Sequence, residues 1–458
     1  MATNGIARLL RREVKRRELA VYPTGKYRLF LLFVVVLANI VASYEGNLAP
    51  IVPLLIKELG ITSLIYGQLN AITLLFTAIV VLFIGPYADR FGRSLFVVSG
   101  ILVTAIFIFV MTGIDTVAEF LIVKIILGIT DAVALGPVAG LVRDFSPQMS
   151  RGIAFAFWSM GPVGGPFIAN GVAAVTLPMF GTWQSQLYIM GSICLLLWVV
   201  VFLFLRDLSP ELRGRVVTHE SEAHAQVQPE QSTDPAGLPE EKITLRRALK
   251  IPLVWLQPLG MALFLLIYFT MLVYGPLFFT ETYKVDEAIA ARLTMFFWVG
   301  TFIGLIGSGW LSDRLRLRKI VTTTGALVAA IFNPIWILYG MTPETSQNLV
   351  ALCSFLAGVT GACAYSSWMA MYSENLEQID PRIQATGWGV FGFAMRAMIL
   401  LVAFFSPMVA KMAGGWQAWF WLAEVGMILY LIFPFLAYGP WFSAEKGAAT
   451  PPSVKPST

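Results

Sequence analysis

Apolar residues fill this chain in blocks of about twenty, the length a helix needs to cross roughly 30 Å of hydrocarbon. Short charged or glycine-rich breaks separate the blocks. They predict spans at 28–56, 65–84, 94–113, 117–142, 152–177 and 187–205. After an interruption six more follow, at 252–279, 289–311, 320–340, 347–372, 385–410 and 417–439. The two-residue alternation of a barrel strand is absent, and helices are the other structure that satisfies its own backbone polar groups in lipid. The pattern therefore predicts an all-α membrane protein of twelve transmembrane helices in two six-helix halves.

Composition strengthens this reading: 57% of the 458 residues are hydrophobic and 13% charged, where a soluble domain is about a quarter charged. The chain divides into a basic N-terminus (1–27), a first half (28–205), a central loop (206–250), a second half (251–440) and a tail (441–458). The central loop is rich in Ser, Pro, Glu and Gln, holds both histidines (His219, His224), and reads as a linker. The first apolar run is too long for a signal-peptide core, so the first helix is expected to be retained.

Lys and Arg gather on alternate connections: Arg8 to Arg28, Arg90, Arg93, Arg143, Arg151, the central loop and Arg314 to Lys319 fall on one side. The other side receives Lys57, Lys284, Arg292 and Lys411. By the positive-inside rule both termini face the cytoplasm, in a multi-pass cell-membrane protein. The net charge of +5 follows from this bias and needs no nucleic-acid partner. Arg8 to Arg17 reads as a topology determinant, with binding to anionic lipid headgroups as the alternative. Cys194, Cys353 and Cys363 sit inside spans without metal-ligand or disulfide spacing. With no metal cluster or catalytic constellation near any span, neither an enzyme nor a cofactor is expected.

The two halves repeat each other. Gly85-Pro-Tyr-Ala-Asp89-Arg90-Phe-Gly92-Arg93 after the second span matches Gly309-Trp-Leu-Ser-Asp313-Arg314-Leu-Arg316 after the eighth. Gly128-Ile-Thr130-Asp131-Ala132 in the fourth span parallels Gly358-Val-Thr360-Gly361-Ala362 in the tenth, and Pro50 parallels Pro276. On the GxxxDRxGR pattern at Gly85 to Arg93, the chain resembles the major facilitator superfamily. That resemblance implies a transporter whose Asp89, Arg90, Gly92 and Arg93 form a gating latch, with Asp313 and Arg314 as the second copy. Arg143 and Asp144 at the end of the fourth span, and Glu374 at the matching point of the tenth, are candidate partners. Lys124-Ile-Ile-Leu-Gly128-Ile-Thr-Asp131 resembles the RxxxGxxE pattern of the anion:cation symporter group, with Lys in place of Arg.

Ionisable groups inside a span are costly and mark function or a buried pair. Glu45, Lys124, Asp131 and Arg396 are the candidates. Glu45 in the first span could load and release a proton; the alternative places it among headgroups near Lys57 and Glu58. Tyr44 and Asn47 beside it are candidate substrate contacts. Lys124 and Asp131 are seven residues apart, sharing one helix face about 10 Å apart along the axis. Their repeat counterparts are Ser354 and Gly361, so the shared scaffold does not require either charge. Arg396 suits bidentate recognition of a carboxylate from the second half, or packing on Trp388 or Phe393. With no histidine in a span, the carboxylates Glu45 and Asp131 are the proton-coupling candidates.

The expected function is proton-coupled symport of a small organic anion by a monomeric carrier, held by Lys124 and Arg396. Proton-driven efflux of drugs or metabolites is the alternative, suggested by Gly161-Pro162-Val-Gly164-Gly165-Pro166 in the fifth span.

Overall fold

The computed structural model describes residues 17–45, 47–145, 151–209, 211–212, 249–379, 383–412 and 414–442. The basic stretch before Arg17, most of the central loop and the tail beyond Phe442 lie outside the described residues. Among the described residues fifteen α-helices run in chain order: α1 Gly25–Glu45, α2 Val52–Glu58, α3 Ser63–Phe91, α4 Arg93–Met111 and α5 Val117–Leu135. Next come α6 Val138–Phe145, α7 Arg151–Phe180, α8 Trp183–Phe204, α9 Pro252–Phe264 and α10 Leu266–Tyr283. The last are α11 Glu287–Leu315, α12 Arg318–Ile335, α13 Gln347–Ile379, α14 Gln384–Met412 and α15 Trp416–Tyr430. Among the described residues, 11 helices are long and apolar enough to span a membrane, and the bent pair α9–α10 makes a twelfth. The fold is the all-α membrane architecture that the apolar blocks predict.

Two spans depart from a straight helix. The first, read as continuous over 28–56, stops at Glu45 and resumes through a 3-10 turn, Ala49–Ile51, and the short helix α2. Pro50 and Pro53 account for the break: each lacks a donor N–H, and each disfavours helical backbone at the residue before it. The seventh is bent by 41° at Leu265, between α9 and α10.

One small departure from all-helix is a parallel strand pair. β1 (Glu18–Leu19), just before α1, pairs with β2 (Asp207–Leu208), just after α8, Glu18 opposite Asp207. Asp207, 1% exposed, accepts hydrogen bonds from the Ser94 backbone N–H (2.9 Å) and hydroxyl (2.6 Å) at the start of α4. The beginning and end of the first half are thus tied to one face of the bundle. That face, which also holds the turns at Gly92 and Arg316, is called here the loop face.

The halves meet through α7 against α11 and α13, α3 against α14, and α10 against α2 and the 3-10 turn. Prolines shape this seam. A proline at position i leaves the carbonyl of residue i−4 without its helical donor. In α7, Pro162 frees the Trp158 carbonyl, which accepts from Asn39 Nδ2 of α1 at 2.8 Å. Pro166 frees the Pro162 carbonyl, which accepts from the Tyr268 hydroxyl of α10 at 3.4 Å, across the seam. In α14, Pro407 frees the Ala403 carbonyl, taken by the Tyr274 hydroxyl of α10 at 2.6 Å. In α9, Pro258 frees the Val254 carbonyl, taken by Tyr372 of α13 at 3.1 Å. The glycine–proline cluster that suggested an efflux motif thus has a structural use.

Candidate functional site

Of the predicted membrane charges, Lys124 is held apart from Asp131 and Arg396. Lys124 on α5 is buried, 6% exposed. Its ammonium donates to the Tyr66 hydroxyl of α3 at 2.8 Å and stands 4.2 Å from the centre of the Tyr66 ring and 5.2 Å from that of Phe120. Among the described residues no carboxylate lies within 4.0 Å of it. A desolvated cation over aromatic faces gains about 2 kcal/mol, and the phenol oxygen supplies a further acceptor. The Tyr66 ring lies 6.0 Å from that of Tyr274, edge to face, so Lys124 connects through two tyrosines to the second half at Ala403.

The helices touch most closely here, at Gly67, one residue beyond Tyr66. A β-carbon at Gly67 would meet the Ala403 carbonyl, with the Tyr274 hydroxyl at 2.8 Å and Pro407 at 2.9 Å. Only glycine lets α3 approach the α14 backbone this far. The contact lies in the first turns of α3, away from the loop face. On the same side Ala173 and Leu177 of α7 pack with Ala291 of α11 and the neighbouring Leu54 and Ala288. The bundle is sealed on the face opposite the loops.

Asp131 lies two turns along α5 from Lys124, toward the loop face. One of its carboxylate oxygens is buried and accepts no hydrogen bond. The charge acting on it is that of Arg396 on α14, in the other half. The two do not form a contact ion pair; Arg396 Nη1 donates to the Gly392 carbonyl at 3.1 Å, within its own helix. The charge that acts on Arg396 is thus the carboxylate of α5, whereas the sequence set it opposite Lys124.

The break in the first span places its polar residues separately. Tyr44 is buried beside Cys194 of α8, whose neighbours α4, α1 and α7 all belong to the first half. Among the described residues no hydrogen bond or ion pair joins Tyr44 to the central charges. Asn47 is 6% exposed in the break, and its side-chain oxygen accepts no hydrogen bond. Glu45 ends α1, and its side chain lies outside the described residues.

On the loop face each half carries its own charge cluster. Arg93, in the first turn of α4, pairs with Asp144 of α6 at 2.8 Å, and Tyr22 donates to the Asp144 carbonyl at 3.2 Å. In the second half Arg318 pairs with Asp313 at 2.6 Å and Glu374 of α13 at 3.0 Å, and donates to the Ser312 hydroxyl at 2.9 Å. The side chains of Asp89, Arg90 and Arg143 lie outside the described residues. Arg314 stands apart from this cluster, its guanidinium 5.2 Å from the Trp310 ring centre.

These clusters correct the repeat alignment. Gly92 ends α3 with φ 98°, and Arg93 starts the next helix. Arg316 ends α11 with φ 54°, a left-handed backbone that costs a side chain roughly 1 kcal/mol, and Arg318 starts α12. Arg316 therefore occupies the place of Gly92, and Arg318, missed in the sequence, that of Arg93. Matching arginine to arginine hid this, because the second turn is one residue longer. Tyr66, Tyr268, Tyr274 and Asp207 were missed as well; a proline four residues ahead of a carbonyl was the available signal for where Tyr268 and Tyr274 bond.

A bundle of two matched helical halves, packed together on one face and carrying opposite charges in the two halves that act on each other, is the framework of a membrane carrier. The chain belongs to the Major Facilitator Superfamily, whose sequence model matches residues 30–395. It is therefore a transporter and not an enzyme. It is 24% identical over 352 residues to the 4-hydroxybenzoate transporter PcaK of Pseudomonas putida, 74% of this chain and 76% of that protein. It is 28% identical to the multidrug resistance protein MdtG of Salmonella choleraesuis over a shorter stretch, 34% of this chain and 40% of that protein. Among solved structures, a D-xylose-proton symporter matches with TM-score 0.65 and 18% identity, covering 90% of this chain and 98% of its own. A bacterial homologue of the human lysosomal transporter Spinster, inward-facing and occupied, matches with TM-score 0.66 and 16% identity, covering 90% and 97%.

Proposed function

We propose that the protein is a proton-coupled symporter of a small organic anion, working by alternating access in a cell membrane with both termini cytoplasmic. In that orientation the sealed face is the outer one and the loop face the inner. What supports the reading is that two opposite charges, Asp131 on α5 and Arg396 on α14, lie in different halves and near enough for each to act electrostatically on the other.

Coupling follows from charge balance. In the empty carrier the Asp131 carboxylate compensates Arg396. When a proton neutralises Asp131, the guanidinium is released to take a substrate carboxylate, and the site is again neutral. States with only the proton or only the anion leave an unbalanced charge in the low-dielectric seam, which costs several kcal/mol and opposes reorientation. One proton therefore travels with one negative charge. Lys124, its charge already held by the Tyr66 oxygen and two aromatic faces, stays outside this balance toward the sealed face, and Asn47 offers a polar group in the break of the first span. The aromatic-acid relative supports an organic acid as cargo, and the sugar symporter supports the proton.

The test is transport in proteoliposomes. Asp131→Asn is expected to lose uphill uptake driven by an inward proton gradient while keeping substrate exchange; unchanged uphill uptake removes Asp131 from the coupling. A thermal-shift screen of carboxylates, sugar acids and aromatic acids, with Arg396→Ala as the insensitive control, finds the substrate. Stabilisation by cationic or neutral compounds that persists in Arg396→Ala would point to efflux instead.

A further inference from the structure

Beside the Arg318 cluster, on the loop face of the second half, a pocket opens between the α11–α12 turn, the end of α13 and the chain beyond α15. Its lining includes Arg316, Arg318, Lys319, Glu374, Asn375 and Tyr438. The carboxylate of Glu374 is already taken by Arg318, which also holds Asp313. Arg316 and Lys319 have no carboxylate within 4.0 Å among the described residues. Asn375 is 1% exposed, and its side-chain N–H2 donates to nothing. Two cations and a buried idle donor on one concavity are the requirements of an oxyanion.

The backbone adds an independent reason. Arg316 holds its left-handed conformation where the first half has glycine. A strained arginine in place of an unstrained glycine implies that its guanidinium has work at that spot, and the side chain lines this pocket. The surroundings favour a ligand carried at a bilayer surface: Trp310, Phe435, Tyr438 and Phe442 are exposed by 59%, 68%, 50% and 84%. Aromatic side chains of this kind sit at the level of lipid headgroups.

We propose that this pocket binds a phosphate group, presented by the headgroup of an anionic phospholipid, with Arg316 and Lys319 as its charge partners and Asn375 as a donor. The site is separate from the transport seam.

The experiment uses the full-length protein in nanodiscs of phosphatidylcholine alone or with phosphatidylglycerol, reading the thermal unfolding midpoint of wild type, Arg316→Gly and Lys319→Gln. Phosphatidylglycerol is expected to raise the wild-type midpoint, and each substitution to weaken lipid binding about fivefold, the effect of one cation at an anionic surface. In phosphatidylcholine alone Arg316→Gly should unfold no earlier than wild type, because glycine suits the turn; this separates loss of binding from loss of fold. Inorganic phosphate protecting wild type but neither variant would support the anion site while assigning it to a soluble phosphate. Equal protection of all three proteins by phosphatidylglycerol overturns the proposal.

Discussion

A guanidinium half-buried between helices keeps its charge cheaply only while an anion faces it. For Arg396 that anion is Asp131, so the two should be linked in stability as well as in transport. Asp131→Asn is expected to cost about 1 kcal/mol, the scale of a charge interaction without direct contact between half-buried groups. Adding Arg396→Gln should restore most of it, as thermal unfolding in detergent will show. If the double variant is as unstable as the single one, the charges are not coupled. That residues 131 and 396 carry unusual charges was legible in the sequence, because any ionisable group stands out in an apolar span. Which charge faces which was not. Helical spacing relates Lys124 to Asp131 on one helix, whereas the rotation of that helix against its neighbours is set by packing. Lys124 found an aromatic acceptor in Tyr66, and a tyrosine in a span gives no warning of that role.

At the scale of elements, the hydrogen bonds that α10 sends to its neighbours, to α7 across the seam and to α14 within its own half, land on carbonyls that prolines have freed. Pro166 and Pro407 belong to α7 and α14; Tyr268 and Tyr274, both on α10, supply the missing donors. A double-variant cycle tests the relation. Tyr274→Phe should cost about 1 kcal/mol with Pro407 present and much less after Pro407→Ala, where the backbone N–H of residue 407 can bond the Ala403 carbonyl itself. Equal costs in the two backgrounds would falsify it. The apolar blocks made the helices legible because length and hydropathy are local properties. The break after Glu45 was less so: Pro50 and Pro53 were visible, but a long apolar run reads as one helix. The turn at Arg316 was hidden because its conformation belongs to glycine.

For the whole molecule, the loop-face clusters change the meaning of the predicted latch. Arg93 with Asp144 and Arg318 with Asp313 and Glu374 each lie within a single half. None of these pairs has to break when the halves rock; they hold the helix ends of each half together as a rigid body. What must open is the opposite face, where Gly67 meets α14. Gly67→Val should therefore shift the population toward the state open on that face. Spin labels placed at the sealed ends of α3 and α14, in a background without Cys194, Cys353 and Cys363, should report a longer mean separation than in wild type. An unchanged distance distribution would move the seal elsewhere.

The strand pair of Glu18–Leu19 with Asp207–Leu208 bears on how the chain is made as well as how it moves. The partner of the earliest described residues is not synthesised until the sixth helix of the first half is complete. That half can therefore close upon itself before any of the second emerges from the ribosome. The 39 residues between Ser209 and Leu249 are enough chain to reach roughly 130 Å when extended, so their length alone does not fix the angle between the halves. A chain severed between Ser209 and Leu249 therefore leaves the described helices of each half whole.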